Sequence, residues 1–122
     1  EGWGRTLVEG MAMGLLVIGT DWGGATEFLT ARNSLPLPVR SLESAATGGG
    51  GVDDVFDRQD SGRWATIDQR ELQARLRRVL EMSAAERLEL MRNARADATK
   101  YDNAAVGEEL LRLLHDVAEP KE

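Results

Sequence analysis

Two acidic side chains near the start of the chain have the type and spacing best suited to binding a ligand. Seven residues separate Glu1 from Glu9, and the apolar run and glycine-rich turn GLLVIGTDWGG follow. The pattern predicts Glu1 on a loop before a helix and Glu9 in about the second helical turn. Both carboxylates can then face one ligand at a helix N-terminus, where N–H groups favour anions. The sequence therefore predicts a pocket for a polyol phosphate.

The residue types around these acids fit a sugar bound to phosphate. Ionised carboxylates only accept hydrogen bonds and sugar hydroxyls donate them, so vicinal diols are natural partners for Glu1 and Glu9. Helical side chains lean toward the helix N-terminus, which brings the carboxylate of Glu9 back toward the helix start. Gly2 and Gly4 lack side chains where a backbone must approach a ligand. The helix dipole would stabilise the negative charge of a phosphate without a metal ion.

Composition narrows the class of protein. The chain has 122 residues, enough for one domain, and carries 15 Lys and Arg against 21 Asp and Glu, a net charge of −6. This charge disfavours non-specific binding to nucleic acid or to an anionic bilayer. The absence of cysteine excludes a disulfide framework and a thiolate metal site, and it suits a cytoplasmic location. No apolar run has the length of a membrane span and no segment resembles a signal peptide. We therefore expect this part of the protein to be soluble.

The elements that position the acids are predicted to form an α/β segment over residues 1–44. Its uniformly apolar strand is typical of a parallel sheet covered on both faces. Pro36 and Pro38 make the segment from Asn33 to Val39 an edge strand or an extended crossing. In order, the expected elements are a helix from Arg5 to Met13, a strand from Leu15 to Gly19, a turn from Asp21 to Gly24 and a short helix from Ala25 to Leu29.

The rest of the chain is predicted to be a flexible loop over residues 45–62 and a helical tail over residues 63–122. The loop contains four consecutive glycines. The tail shows three helices, with helix starts expected at Asp68, at Ser83 with Glu86 as a capping box, and at Asp102 or Asn103. The expected buried stripes contain Leu72, Leu76, Val79 and Leu80 in the first helix, Leu88, Met91, Ala94 or Arg95 and Ala98 in the second, and Val106, Leu110, Leu113, Leu114 and Val117 in the third, which Pro120 ends.

The opening segment EGWGRTLVEGMAMGLLVIGTDWGGATEFL resembles the donor-binding segment of the retaining GT-B glycosyltransferases of the group 1 type. That family's pattern is a Glu, seven residues, a second Glu, a helix ending in Gly, an apolar strand and a Gly-Gly turn followed three residues later by Glu. The matching residues are Glu1, Gly2, Gly4, Glu9, Met11, Ala12, Gly14, Val17, Ile18, Thr20, Gly23, Gly24 and Glu27. A weaker similarity to the family's C-terminal tail involves Gly62, Arg63, Trp64, Ala65, Arg77, Arg78, Ala94, Arg95 and Tyr101.

The resemblance implies an incomplete Rossmann-like domain with a helical C-terminal tail, from the C-terminal half of a hexosyltransferase-like enzyme. The enzyme would transfer a sugar from an NDP-sugar to a saccharide, lipid or protein acceptor, with no cofactor or metal. Glu1 would be catalytic and contact the donor sugar, Glu9 would accept hydrogen bonds from the ribose, and the diphosphate would lie near the backbone N–H groups of Gly4, Arg5, Thr6 and Leu7. The implied donor-binding set is Glu1, Gly2, Trp3, Gly4, Arg5, Thr6, Leu7, Glu9, Gly23 and Gly24.

The chain begins at Glu1 without an initiator methionine, so we expect a fragment of a longer enzyme, inactive alone. In the family, the basic residues that contact the diphosphate and the acceptor-binding domain precede the two-Glu motif. The missing N-terminal domain is therefore an expected partner. Two other classes stay open: a non-catalytic nucleotide- or sugar-binding module, and an interaction domain whose amphipathic helices bind a partner.

Each proposed role has a structural alternative. Arg5 and Glu9, four residues apart, could form only a surface ion pair. Trp3 could shape a sugar pocket or pack against the sheet. Gly23 and Gly24 could border the donor or only build a turn. Glu27 could contact the donor directly, or it could lie in the first turn of a helix, where the dipole stabilises a carboxylate. We expect the second role.

Overall fold

The computed structural model describes residues 2–44 and 62–118, and the described chain is mixed α/β, as expected. Among these residues the strands form two separate pairs, β1 with β2 and β3 with β4. In chain order the elements are α1 (Arg5–Ala12), β1 (Ile18–Thr20), a 3-10 helix (Gly23–Glu27), β2 (Leu35–Leu37), β3 (Val39–Ser44), β4 (Arg63–Ile67), α2 (Gln69–Glu81), α3 (Ala84–Ala98), a second 3-10 helix (Thr99–Tyr101) and α4 (Asn103–Ala118).

The first strand pair is parallel. Gly19 of β1 lies opposite Pro36 of β2, and the main-chain N–H of Asp21 donates to the carbonyl of Leu37 at 2.8 Å. The apolar strand runs from Ile18 to Thr20, later than the expected Leu15 to Gly19. Helix α1 ends at Ala12, and the N–H of Leu15 still donates back to the carbonyl of Gly10 at 3.0 Å in the turn that follows the helix. Parallel pairing thus starts only after the chain has left the helix.

Helix α1 begins and ends at glycines. Gly4 precedes it with φ 103° and ψ 40°, and the Gly4 carbonyl accepts the N–H groups of Leu7 and Val8 at 2.9 and 3.2 Å. Gly14 follows the helix with φ 71° and donates to the carbonyl of Met11 at 2.9 Å. Both glycines have the left-handed conformation that other residues rarely adopt. These two positions set the length of the helix at about two turns.

The core lies where α1 meets α3. Met11 of α1 and Ala94 of α3 are fully buried, at 0% exposure each. The two helices are in contact, and partly buried Trp3, Leu7, Ala25 and Tyr101 pack around the same cluster. The buried members of the cluster are Val8, Met11, Val17, Phe28, Leu29, Ala94 and Ala98.

The expected helical tail from residue 63 is wrong at its start, because Arg63–Ile67 is strand β4. It pairs antiparallel with β3, and the hydroxyls of Ser41 and Thr66 lie 2.6 Å apart across the pair. Tryptophan and β-branched residues favour a strand over a helix here. Helix α2 begins only at Gln69. The predicted flexible loop, residues 45–62, lies outside the described residues except for Gly62.

The predicted helix starts are confirmed. Asp68 accepts a hydrogen bond from the N–H of Arg70 at 2.8 Å, and Asp102 accepts one from Ala105 at 2.7 Å. Ser83 and Glu86 form a reciprocal capping box, and the hydrogen bond from the Ser83 hydroxyl lowers the pKa of Glu86. Local hydrogen bonds of this kind depend on few residues, which is why the sequence reveals them. The predicted end at Pro120 lies outside the described residues.

The predicted buried stripes are only partly buried. In α3, Ala94 and Ala98 are buried but Leu88 is exposed; in α2, Leu80 is 82% exposed. For α4 the prediction of an inward stripe is wrong, because the helix contacts mainly the second 3-10 helix before it and the whole stripe faces solvent. The large apolar side chains that α4 exposes are Val106, Leu110, Leu111, Leu113, Leu114 and Val117. Across residues 2–44 and 62–118, no helix combines the length and hydropathy needed to cross a bilayer.

A buried carboxylate joins α3 to the segment before β2. Asp97, 9% exposed, accepts hydrogen bonds from Arg32 at 2.6 Å, from the amide of Asn33 at 2.9 Å and from Lys100 at 2.9 Å. Burial alone would raise the pKa of Asp97, but hydrogen bonds from Asn33 and Lys100 and the charges of Arg32 and Lys100 outweigh it and lower the pKa. The network needs the ionised carboxylate.

The Asp97 network should make stability depend on pH. A carboxyl group whose pKa is lowered by folding stabilises the protein above its unfolded pKa, about 3.9, and this contribution is lost as the pH falls through the folded pKa. We expect Asp97→Asn to lower the free energy of unfolding at neutral pH by about 2 kcal/mol, since several hydrogen bonds to a charged group are weakened. Urea denaturation followed across acidic pH measures both effects.

The matched control is Asp116→Asn, which removes an exposed carboxylate 3.7 Å from Arg112. An exposed pair contributes little, so this variant should keep the wild-type stability and pH profile. A D97N variant whose unfolding free energy falls with acid as steeply as that of the wild type would contradict the assignment.

Candidate functional site

A cavity of about 170 Å³ lies between the start of α1 and the carboxyl end of β1. Open α/β sheets bind ligands at the carboxyl ends of their parallel strands, and helix N-termini favour anions. Both features border this one cavity. The lining residues are Trp3, Gly4, Leu7, Thr20, Trp22, Gly24 and Ala25.

The turn after β1 lies directly against the loop before α1. A Cβ atom at Gly24 would lie 2.6 Å from the Cα of Trp3 and would also collide with the carbonyl oxygen of Gly2. No side chain fits there, so glycine permits the two backbones to touch. Its neighbour Gly23 has φ 67° and turns the chain out of the strand. Gly23 thus builds the turn, and Gly24 lines the cavity.

Gly4 is constrained by its own backbone and by an aromatic neighbour. In addition to its left-handed φ of 103°, a Cβ at Gly4 would lie 3.0 Å from Phe28 Cζ and 3.4 Å from Leu7 Cδ1. By contrast, a Cβ at Gly2 would have no atom within 4 Å. The local geometry thus requires glycine at Gly4, whereas nothing around Gly2 excludes a side chain.

Trp3 packs in the core and also lines the cavity. Its ring centroid lies 5.0 Å from that of Phe28 and 4.9 Å from that of Tyr101, so it packs in an aromatic cluster. The same side chain lines the cavity. Its indole N–H donates to Glu27 at 2.7 Å. Glu27 is the last residue of the first 3-10 helix, so the expected place in a first helical turn is wrong, and its carboxylate instead orients Trp3.

Arg5 and Glu9 form the ion pair that was the structural alternative to ligand binding. Arg5 Nε lies 2.8 Å from Glu9 Oε1, and the two side chains are 84% and 59% exposed. Neither residue is among those that line the cavity. Glu9 does point back toward the helix start, as the lean of helical side chains predicts. Glu1 lies outside the described residues, so the structure does not relate its carboxylate to that of Glu9.

The predicted donor-binding residues therefore fall into separate groups. Trp3, Gly4, Leu7 and Gly24 share the cavity; Arg5, Thr6 and Glu9 are exposed in the first two turns of α1. The sequence prediction of the site omitted three lining residues, Thr20, Trp22 and Ala25. Their position at the end of an apolar strand and around a Gly-Gly turn was the signal that could have identified them.

The electrostatics at the mouth of α1 favour an anion. The N-cap residue, Gly4, has no side chain, and the first turn of the helix contains Arg5 and no acidic residue. The charge of Arg5 is paired with the carboxylate of Glu9 at 2.8 Å, so the helix dipole supplies the positive potential there. Within the described part of the chain, no group of three or more His, Cys, Asp or Glu residues is arranged to hold a metal ion.

Comparison with known proteins assigns no family. A scan against models of protein families finds no match, and a search of curated proteins finds no relative. The motif residues and the geometry of the cavity between α1 and β1 are therefore the features that bear on function.

The contact at Gly24 can be tested by adding one methyl group. We expect Gly24→Ala to lower the free energy of unfolding by about 1–3 kcal/mol, because the added Cβ must push the turn away from the Gly2–Trp3 backbone. Urea denaturation followed by tryptophan fluorescence provides the measurement. Gly2→Ala is the matched control and should change stability by less than about 0.5 kcal/mol, since its Cβ meets open space. Equal stability of the two variants would contradict the close approach of the turn to the loop.

Proposed function

We propose that this chain is the nucleotide-sugar-binding part of a retaining glycosyltransferase, with the incomplete Rossmann-like fold of a GT-B C-terminal domain. One observation carries the proposal: residues from the two-Glu segment and from the Gly-Gly turn line the same cavity, between the start of α1 and the carboxyl end of β1. Open α/β sheets bind ligands at this place in the fold.

In this proposal, the diphosphate of the donor binds at the mouth of α1. The N-cap residue, Gly4, has no side chain, and the first turn contains no acidic residue but contains Arg5, which is paired with Glu9. Phosphate groups at such helix starts are stabilised by the N–H groups and by the dipole together. As the bond between sugar and diphosphate breaks, negative charge grows on the leaving group, where these fixed dipoles stabilise it most.

In this proposal, Glu9 accepts hydrogen bonds from the ribose hydroxyls, as the resemblance implies. Its present partner is Arg5, and an exposed pair of this spacing contributes only about 0.2–0.5 kcal/mol. Exchanging this ion pair for two donating hydroxyls therefore costs little. Glu1, which the resemblance places on the donor sugar, would act at the opposite end of the ligand.

The proposed reaction transfers the sugar to a saccharide, lipid or protein acceptor that attacks from the face on which the diphosphate departs. The acceptor-binding domain and the basic residues for the diphosphate belong, by the resemblance, ahead of the two-Glu motif. Turnover thus requires the longer enzyme, for which we propose a cytoplasmic location. A non-catalytic binding module would use the same cavity, and the two possibilities differ in whether the longer enzyme turns over its donor.

A second candidate, an interaction domain, is favoured by the exposed apolar stripe of α4. Val106, Leu110 and Val117 are 53%, 54% and 84% exposed, and surface patches of this kind often mark contacts between proteins. This candidate predicts no response to nucleotides from a folded sample.

Calorimetric titration with UDP, GDP and ADP distinguishes the candidates. We expect saturable binding of at least one of them, and about tenfold weaker binding by Glu9→Gln, which loses hydrogen bonds to a charged group. Glu108→Gln, an exposed charge change on α4, is the control and should bind like the wild type. Circular dichroism confirms that each sample is folded. Absence of binding by folded wild type, or full binding by E9Q, would contradict the proposal.

A further inference from the structure

Trp22 is an exposed aromatic side chain at the cavity. It is 46% exposed and belongs to the lining. Tryptophan side chains are highly buried on average, so this exposure requires an explanation. Within residues 2–44 and 62–118, the ring contacts join Trp3, Phe28 and Tyr101 to one another and leave Trp22 outside that cluster. The indole is therefore not needed by the aromatic core.

The backbone around Trp22 is fixed from both sides. The N–H of Asp21 donates to the carbonyl of Leu37, and that of Trp22 to the carbonyl of Thr20, both at 2.8 Å. On the other side, Gly24 is pressed against Gly2 and Trp3. A side chain presented by a fixed backbone loses less conformational entropy when a ligand covers it. The backbone thus holds Trp22 at the cavity before a ligand binds.

The walls of the cavity fit a sugar ring. Leu7, Ala25 and Trp22 supply apolar surface, and the hydroxyl of Thr20 can donate or accept a hydrogen bond. A pyranose has faces made of C–H groups and a rim of hydroxyls, so an aromatic face can cover the first while polar groups bind the second.

The position of the cavity favours the sugar over the nucleobase. Arg5 and Glu9 do not belong to the lining that contains Trp22 and Trp3. In the proposed function, Glu1 contacts the sugar and Glu9 the ribose. The cavity is therefore on the sugar side of the ligand.

We infer that Trp22 is a specificity-determining residue that packs its indole against the C–H face of the donor's hexose ring. This inference rests on the proposed function and names the part of the donor that the cavity receives. The ring lies between Trp22 and the start of α1, and its hydroxyls face Thr20.

Three ligand pairs test the inference by calorimetry: UDP with UDP-glucose, GDP with GDP-mannose, and ADP with ADP-glucose. For the pair that binds, Trp22→Ala should weaken the nucleotide sugar about tenfold, equal to roughly 1.4 kcal/mol, and leave the parent nucleotide unchanged. Trp22→Phe keeps an aromatic face and should restore most of the affinity. Trp64→Ala is the matched control, since Trp64 is also 46% exposed but lies on β4, outside the cavity lining.

Each other outcome overturns the inference in a distinct way. Equal weakening of nucleotide and nucleotide sugar in W22A would place the indole on the nucleotide instead. Unchanged affinity for both would show that Trp22 contacts no part of the donor, while the proposed function would stand because the wild type binds. Absence of binding by the folded wild type would overturn the proposed function and this inference together.

Discussion

The packing of α1 against α3 is the constraint on which the rest of the structure depends. Helix α1 has only about two turns, too few to be stable in water alone, so its position depends on its tertiary contacts. Small Ala94 and Ala98 on α3 share a buried cluster with Val8 and Met11 of α1. Because α1 is held there, its N-terminus stays beside the carboxyl end of β1, where the cavity lies.

The C-terminal half of the chain therefore supports the N-terminal motif. Tyr101, directly after α3, packs against Trp3 at the entrance to α1. Asp97, on the last turn of α3, fixes Arg32 and Asn33 shortly before β2. The 3-10 helix between β1 and β2 is held at its end by the hydrogen bond from Trp3 to Glu27. Substitutions in α3 should thus alter the site without touching a ligand.

The sequence predicted features that depend on near neighbours. The start of α1 at Arg5, the stop at Gly14 and the caps at Asp68 and Ser83 all depend on residues within a few positions. Pairing of β3 with β4 brings together residues that are distant in sequence. Strand β4 is followed directly by helices, so the sequence pattern there predicted only helix. The stripe of α4 is amphipathic, but periodicity does not reveal whether another element covers it. In the same way the motif indicated the cavity, whereas the exposure of Trp22 emerges only from the tertiary structure.

We propose that a nucleotide sugar binds at the mouth of α1. The most direct test is a two-dimensional ¹H–¹⁵N NMR titration with the nucleotide sugar that binds in calorimetry. We expect the largest shift changes at the main-chain amides of Arg5, Thr6 and Leu7 and at the indole N–H of Trp22. Changes concentrated instead in the groove of Arg78, Met82 and Asn93, on the α2 and α3 side of the molecule, would contradict it.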